Sequence, residues 1–586
     1  MKTFIKYFLT FLFGFFVALG GLFIVILIAV SSMDYEQESP EIAEKSILKI
    51  ELPTELSELS NEDPARELLA QISGNTLNLG LNQLKDAIKS AASNPKIKGI
   101  YLDAGSYYGG ISHSQEIRNA LLEFKKSKKW ILAYSENYSE QGYFIATAAD
   151  KVYLNPKGML EFDGFTSEIV FFKGLMEKLG VEFQVFKVGK FKGAVEPYTA
   201  DKLSDANRAQ IQQYLNDLYQ YQIQQISQSR IAAHKQLDVN FLNKISNEGL
   251  AFLPKQAETI GLVDALKYAD EVDSEIQSKV PGNTLVSLKK YLKIESDYSY
   301  SENRIAVLYA DGEIVLGDGE VGQIGSTNFI KEIRKIKEDK NIKAVVLRVN
   351  SPGGSSFASD VIAREIELLK KVKPVVVSFS NVAASGGYYI ACLGDSIFAQ
   401  PNSITGSIGV FALIPNVQNM YTNKLGLKYE TVQTGNESNL WRPDQPLNPS
   451  QSQKIQSSID QVYDDFISIV SKGRKFPKDS VHTIAQGRVY SGIRAKEIGL
   501  IDDFGDLDRA VRSASKMAKV KEYRIDNYPQ QKPLFEEWLN EEMGVENSMN
   551  EYLNHLGIDK LTIKELRSIK SNQGMQCRMP WSIEIH

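Results

Sequence analysis

The chain has little cysteine, little histidine and no large excess of charge, and each shortage closes off a class of function. Its 586 residues include two cysteines, Cys392 and Cys577, which are 185 positions apart and too few for a disulfide framework. The five histidines (His113, His234, His482, His555 and His586) form no HExxH motif and no other pair at metal-ligand spacing. A zinc peptidase is therefore unsupported, and neither a metal nor a cofactor is expected. No histidine lies beside a Gly-flanked serine, so a Ser-His-Asp triad lacks its base. The net charge of −5, from 67 basic and 72 acidic residues, gives no electrostatic case for nucleic acid. The glycine-rich loops GSYYGG and NSPGGSS lack the Lys-Ser/Thr of a phosphate-binding loop.

One long apolar run is present. From Tyr7 to Met33 there are 27 residues without a charge, more than the ~20 needed to span a bilayer and longer than the core of a cleavable signal peptide. Ala29-Val-Ser31 offers only a weak cleavage site. Lys2 and Lys6 precede the run, and Asp34, Glu36 and Glu38 follow it. The positive-inside rule then predicts a single-pass anchor in the inner (cytoplasmic) membrane, with the remainder on the periplasmic side.

Beyond a polar linker the chain resembles itself at a spacing of 245. IKGIYLD (Ile97 to Asp103) pairs with IKAVVLR (Ile342 to Arg348), and SENYSEQGYFIATAADKVYLNP (from Ser135) pairs with SNVAASGGYYIACLGDSIFAQP (from Ser380). Each half closes on a similar run, AETIGLVDAL at 257–266 and AKEIGLIDDF at 495–504. A period this long marks a duplicated domain rather than a solenoid. Within each copy β-branched runs alternate with amphipathic ones, which predicts α/β architecture with largely parallel strands. The expected divisions are 1–45 (anchor and linker), 46–300 (first repeat), 301–525 (second repeat) and 526–586 (an accessory tail of no assigned function).

The chemistry concentrates in AASGGYYIA, Ala383 to Ala391. A serine before two glycines, where a strand meets a helix, has an exposed Oγ and a backbone N–H aimed at the same point, as a nucleophile requires. The competing reading is a serine that caps a helix. A second loop, Asn350-Ser-Pro-Gly-Gly-Ser355, follows the strand AVVLRV and supplies further backbone N–H groups for an oxyanion. With a general base required, Lys187, Lys190 and Lys192 compete. On an extended strand Lys190 and Lys192 share a face, so spacing does not separate them.

Together NSPGGS, AASGGYYIA, TGSIGV (Thr405 to Val410) and GKFKGAVEPYT (Gly189 to Thr199) resemble the SppA family, signal peptide peptidase A or protease IV, in its long duplicated bacterial form. The resemblance covers nearly the whole chain. It implies a tandem crotonase/ClpP-like spiral fold and a serine peptidase with a Ser/Lys dyad that degrades cleaved signal peptides and other unfolded apolar peptides. It also implies a homotetramer whose sites line a bowl. By motif match, Ser385 is the nucleophile and Lys192 the base. Gly354 and Gly386 supply the oxyanion N–H groups, and Ser407 orients the lysine amine. Two other readings remain: an acyl-CoA enzyme on the same fold, and an inactive scaffold that presents a membrane-tethered concave surface to partners.

The repeat bears on the same assignment. Position 385 corresponds to Glu140 in the first copy, and Lys192 aligns, after a one-residue gap, with Ser438 in the second. Each copy has lost what the other keeps, the pattern of one site completed by two halves. A lysine acts as base only when neutral, so its pKa must fall from about 10.4 toward neutrality through burial away from carboxylates.

Overall fold

The computed structural model describes residues 41–60, 79–232, 234–294, 301–529 and 575–579, with Gly14 and Gly21. The expected anchor, Tyr7 to Met33, lies outside the described residues apart from those two glycines. Among the described residues no helix is long and apolar enough to cross a membrane.

The duplication recurs as a duplicated succession of elements. In the first half come β1 (Ser46–Glu51), α1 (Leu81–Ser93), β2 (Ile97–Asp103), α2 (Ile111–Lys125), β3 (Trp130–Tyr138), α3 (Glu140–Ala146) and β4 (Lys151–Leu160). After β5 (Glu182–Val188) follow the long α4 (Asp205–Arg230), β6 (Ala265–Leu266) and β7 (Thr284–Ser287). The second half opens with β8 (Arg304–Asp311), β9 (Glu313–Val315), β10 (Gln323–Gly325) and α5 (Ser326–Glu338). It continues with β11 (Ile342–Ser351), β12 (Gly353–Ser355), α6 (Ser356–Lys370), β13 (Val375–Ala384), α7 (Gly386–Ala391), β14 (Ser396–Ala399) and β15 (Ile404–Gly406). Then come β16 (Val410–Asn416), α8 (Pro449–Arg474), β17 (Val489–Ser491), β18 (Asp503–Phe504), α9 (Leu507–Met517), β19 (Arg524–Tyr528) and β20 (Met575–Arg578). The pairs α1/α5, β2/β11, α2/α6 and β3/β13 each begin 245 residues apart.

Local chemistry accounts for these elements. β11 is buried along nearly its whole length, the near-continuous apolar run of a parallel strand covered on both faces. In α5, Phe329, Ile333 and Ile336 recur at helical spacing and are buried, while the lysines between them face outward. Asn448 caps α8 by accepting from the N–H of Gln451, whose side chain returns the bond.

Each half builds its own sheet. The first is wholly parallel, in the order β6-β4-β3-β2-β1-β7. The second runs β17-β15-β13-β11-β8-β19, with β14 paired to β13 and β18 paired to β14; β19 straddles the boundary expected after residue 525. A third sheet, β10-β9-β12-β20-β16-β5, draws on both halves, because β5 leaves the first repeat to pair antiparallel with β16.

The halves are also joined by a buried ionic network. Arg348 on β11 donates to Glu58 at 2.9 Å and to Glu116 on α2 at 2.8 Å, and Lys85 on α1 reaches Glu116 at 2.8 Å. His113 Nε2 lies 2.7 Å from Glu58 and 3.0 Å from Ser380 Oγ. Burial alone would raise the Glu58 carboxyl, but Arg348 and His113 hold it well below the usual range. Gly110 leaves the first turn of α2 uncapped, and Asn381 of β13 supplies the missing acceptor to Ser112 N at 2.9 Å and His113 N at 3.2 Å.

Candidate active site

β13 ends at Ala384 and the chain turns abruptly into α7 through Ser385, whose φ of 54° and ψ of −114° are unusual for a residue with a side chain. Such a conformation costs on the order of 1–3 kcal/mol and persists only where its surroundings hold it. Here Ser385 N donates to Gly406 O at 2.8 Å, and Ser385 O accepts from Tyr389 N at 2.8 Å. Ser385 occupies the N-cap position, yet its side chain caps nothing. The helix-cap reading therefore fails, and the hydroxyl is left for another partner.

That partner comes from the other half. β5 carries the chain along β16 to Val188, paired with Val410. Gly189, at φ +112°, then bends it where a side chain would strike the Gln486 backbone 2.5 Å away. Phe191 N donates to Gln486 O at 2.9 Å, and Lys192 follows as the cap of a short turn, Gly193–Val195. Its Nζ lies 2.9 Å from Ser385 Oγ, 3.0 Å from Ser407 Oγ and 3.1 Å from Ser407 O. The side chain is fully buried, and burial lowers its pKa to about 7. Among the described residues no carboxylate contributes to that value.

The strand expected to hold Lys190 and Lys192 on one face is not there: it stops at Val188. Lys190 is exposed, with its ammonium over the Phe191 ring, and Lys187 is exposed too. Ser438, the counterpart of Lys192, sits on the surface and donates within its own turn, to Gly435 O at 2.7 Å.

Across from the lysine, β12 brings its glycines against the start of α7. Gly353 has φ +98°, and a Cβ there would fall 2.6 Å from Gly386 N and 2.1 Å from the carbonyl oxygen of Cys577 on β20. Gly354 pairs with Cys577 in the antiparallel ladder between β12 and β20. A Cβ at Gly386, the residue after Ser385, would likewise lie 3.0 Å from that Cys577 oxygen. Ser407, at φ +51°, is fixed by its N–H donating to Arg488 O at 2.6 Å.

Two supporting residues were not anticipated. Gln210 on α4 donates to Phe191 O at 3.0 Å and accepts from Val489 N at 3.1 Å, tying the lysine turn to the second half. Gly487, at φ +77°, lies where a Cβ would meet the Lys192 backbone nitrogen at 2.7 Å. Gln210 sits in a glutamine-rich helix, QIQQYLNDLYQYQIQQ, where nothing local separates it from its solvated neighbours.

This arrangement can be set beside known proteins. The model of Peptidase family S49 matches twice, at 123–281 and at 367–521, once in each half. The chain belongs to peptidase family S49. The Clp protease family model matches 296–405 of this S49 peptidase, in keeping with a ClpP-like α/β fold in duplicated form. The chain is similar to Protease 4 of Salmonella typhi, with 35% identity over 79% of this chain and 76% of that one. It is also similar to Protease 4 of Haemophilus influenzae, with 33% identity over 74% of this chain and 72% of that one. A third relative, Serine protease SPPA, chloroplastic, of Arabidopsis thaliana, is 33% identical over 75% of this chain and 66% of its own. This S49 peptidase is accordingly a serine peptidase of the SppA/protease IV kind. One family match contains Lys192 and the other Ser385.

Proposed function

We propose that this serine peptidase works through a dyad, with Ser385 as nucleophile and Lys192 as general base, and hydrolyses cleaved signal peptides and other unfolded apolar peptides beside the membrane. The observation that carries the reading is the 2.9 Å contact between Lys192 Nζ and Ser385 Oγ, made by a lysine whose pKa burial has brought to about 7. A neutral amine has two N–H donors and one lone pair. With both donors directed at Ser407 O and Oγ, the lone pair faces the Ser385 hydroxyl.

The mechanism follows. Ser385 Oγ attacks the substrate carbonyl carbon while Lys192 takes its proton. The N–H groups of Gly354 and Gly386 receive the developing oxyanion, which is where such a site has most effect. The ammonium then protonates the leaving amine, and a water activated by the same lysine releases the acyl group. An acyl-CoA enzyme or an inactive scaffold would have no use for a neutral lysine against a strained serine.

Anchoring through Tyr7 to Met33 in the inner membrane, with the site on the periplasmic side, agrees with the charge pattern around that run. A homotetramer agrees with the resemblance to the long SppA form, and the exposed Leu316, Val321, Phe357 and Trp441 offer apolar surface for contacts between copies. A fluorophosphonate should label the wild-type protein at Ser385 and leave the Ser385→Ala protein unlabelled. Purified enzyme should cut leucine-rich peptides and spare folded proteins. Equal cleavage of native globular proteins would overturn the substrate assignment.

A further inference from the structure

We propose that the lysine-rich edge of the first-half sheet docks on the anionic phospholipid surface through which the chain is anchored, and so fixes how the peptidase stands on the membrane; this rests on the anchor reading above. The first sheet is wholly parallel, so β1, β2, β3 and β4 begin along one edge and end along the opposite one. The two edges differ in charge. Where the strands begin stand Lys45 before β1, Lys96 and Lys98 at the start of β2, and the run KKSKK at 125–129 before β3. At or near their ends stand Glu51, Asp103, Glu136 and Glu161.

Little on the lysine edge answers its charge. Asp150 pairs with Lys125 at 2.8 Å and also accepts from Ile131 N. Glu123 meets Lys126 where both side chains are about 70% exposed, and such a pair contributes little. Among the described residues no carboxylate forms an ion pair with Lys96, Lys98, Lys128 or Lys129. Helix capping accounts for two of these lysines. Lys129 Nζ donates to Ala91 O at 2.7 Å and Asn94 O at 2.6 Å at the end of α1, and Lys98 Nζ donates to Pro95 O at 2.7 Å. It does not account for Lys126 and Lys128, which are exposed. Burial, and after it the neighbouring Lys98 charge, lowers the Lys129 pKa, so the cluster repels itself. An edge that gathers unpaired like charges is complementary to a surface of the opposite sign.

The tether enters the fold at this same edge. Ile42 is buried, and Ser46 Oγ donates to Ala43 O at 2.7 Å. Ser46 N donates to Lys96 O at 2.9 Å, and Lys45 Nζ to Pro281 O at 3.2 Å. Met33, the last residue of the uncharged run, precedes Glu41 by eight positions, a reach of at most about 30 Å. Screening at physiological salt acts over ~8 Å, so the lysines feel lipid headgroups on close approach, and a tether this short makes such approach frequent. The acidic edge is repelled by the same surface. The pair of edges therefore selects one orientation, with the strand ends of the first half directed away from the lipid.

The test uses the full chain in vesicles of phosphatidylcholine, or of equal parts phosphatidylcholine and phosphatidylglycerol, with lysine acetylation rates read by mass spectrometry. Phosphatidylglycerol should slow the acetylation of Lys96, Lys126 and Lys128 by roughly fivefold, the scale of attraction of one lysine to such a surface. Molar salt should restore the rates, and Lys190 at the catalytic turn should react alike in both vesicles. In Lys126→Glu/Lys128→Glu the protection of Lys96 should disappear, while a soluble leucine-rich peptide is hydrolysed in detergent as by wild type. Equal acetylation in the two vesicles overturns the proposal, as does protection of Lys96 that survives the double charge reversal. Protection already complete in neutral vesicles would assign the edge to a second copy or to the acids between Asp34 and Glu41, and also overturns it. Alkaline carbonate extraction separates the two readings. Release of the chain from both vesicles overturns the anchor and this inference with it, whereas retention with unprotected lysines overturns this inference alone.

Discussion

The two halves follow the same path through the strand-to-helix turn and use it differently. In the first half Ser139 has ordinary extended torsions, φ −68° and ψ 160°, and its Oγ accepts from Gly142 N at 2.9 Å, an unstrained helix cap. In the second half the helix starts one residue later. Its N-cap residue is Ser385, which is strained and leaves its hydroxyl uncommitted to the helix. The equivalent of Ser385 is Glu140, whose carboxylate accepts from Gly164 N at 2.9 Å and whose pKa burial pushes up to about 8. At 245 residues before Gly353 stands Tyr108, a side chain where the second half needs open space. A shift of one residue and the exchange of a glycine for a tyrosine thus separate a packed turn from a candidate active site.

The largest expected effect tests whether the site is divided between the halves. Ser385→Ala and Lys192→Ala should each lower turnover on the order of 10⁶-fold, and the double mutant should be no worse, since the two act as a unit. Additive losses in kcat would break that reading, as would activity retained in Lys192→Ala but lost in Lys190→Ala. Next come the residues that hold the lysine. Gln210→Ala and Ser407→Ala should each reduce kcat by about 10²-fold, the usual result of misplacing a catalytic group by an ångström. Ser407→Ala should also displace the pH–rate profile, which a purely structural role would not do.

That profile has a definite sign. Burial lowers the Lys192 pKa to about 7, and only the free amine accepts a proton, so activity should rise with pH through about 7 and then level off. A profile already flat from pH 5 would exclude a lysine base.

Stability provides a third contrast between the halves. Arg348 stands where the first half has Asp103, and it neutralises Glu58 and Glu116 from across the interface. Arg348→Met should cost about 3–5 kcal/mol by denaturant unfolding, because it removes the cation that two buried carboxylates share and leaves Glu116 to Lys85 and Glu58 to His113 alone. A loss below 1 kcal/mol would show that the network does not join the halves.

The smallest effect on catalysis belongs to the vacated position. Glu140→Gln should leave activity within a few-fold. Its carboxyl titrates at 4.5 when unperturbed and at about 8 in the fold. The folded state therefore holds a proton that the unfolded state has lost, and wild-type stability should fall as pH rises between those values. In Glu140→Gln that fall should diminish, as thermal unfolding across pH 5–8 would reveal.

Much of this was legible in the chain. The spacing of 245 predicted the paired elements, because helix and strand periods follow from side chains a few residues apart. The Ser-Gly-Gly turn marked Ser385 for the same reason. Lys192 could not be told from Lys190 on such grounds: both were placed on one strand, whereas the turn at Gly189, fixed against Gln486, buries one and exposes the other. Gln210 was hidden for a similar reason, since its two partners lie on a different turn and a different half.

By itself, then, the sequence determined the duplication, the parallel α/β layers and the turn that strains Ser385, all consequences of local periodicity and of glycine placement. The tertiary structure decided which lysine is desolvated, which strand crosses between the halves and which strand pairs between β12 and β16. Those outcomes depend on burial and on the pairing of sheet edges by residues up to hundreds of positions apart, and no local pattern encodes either.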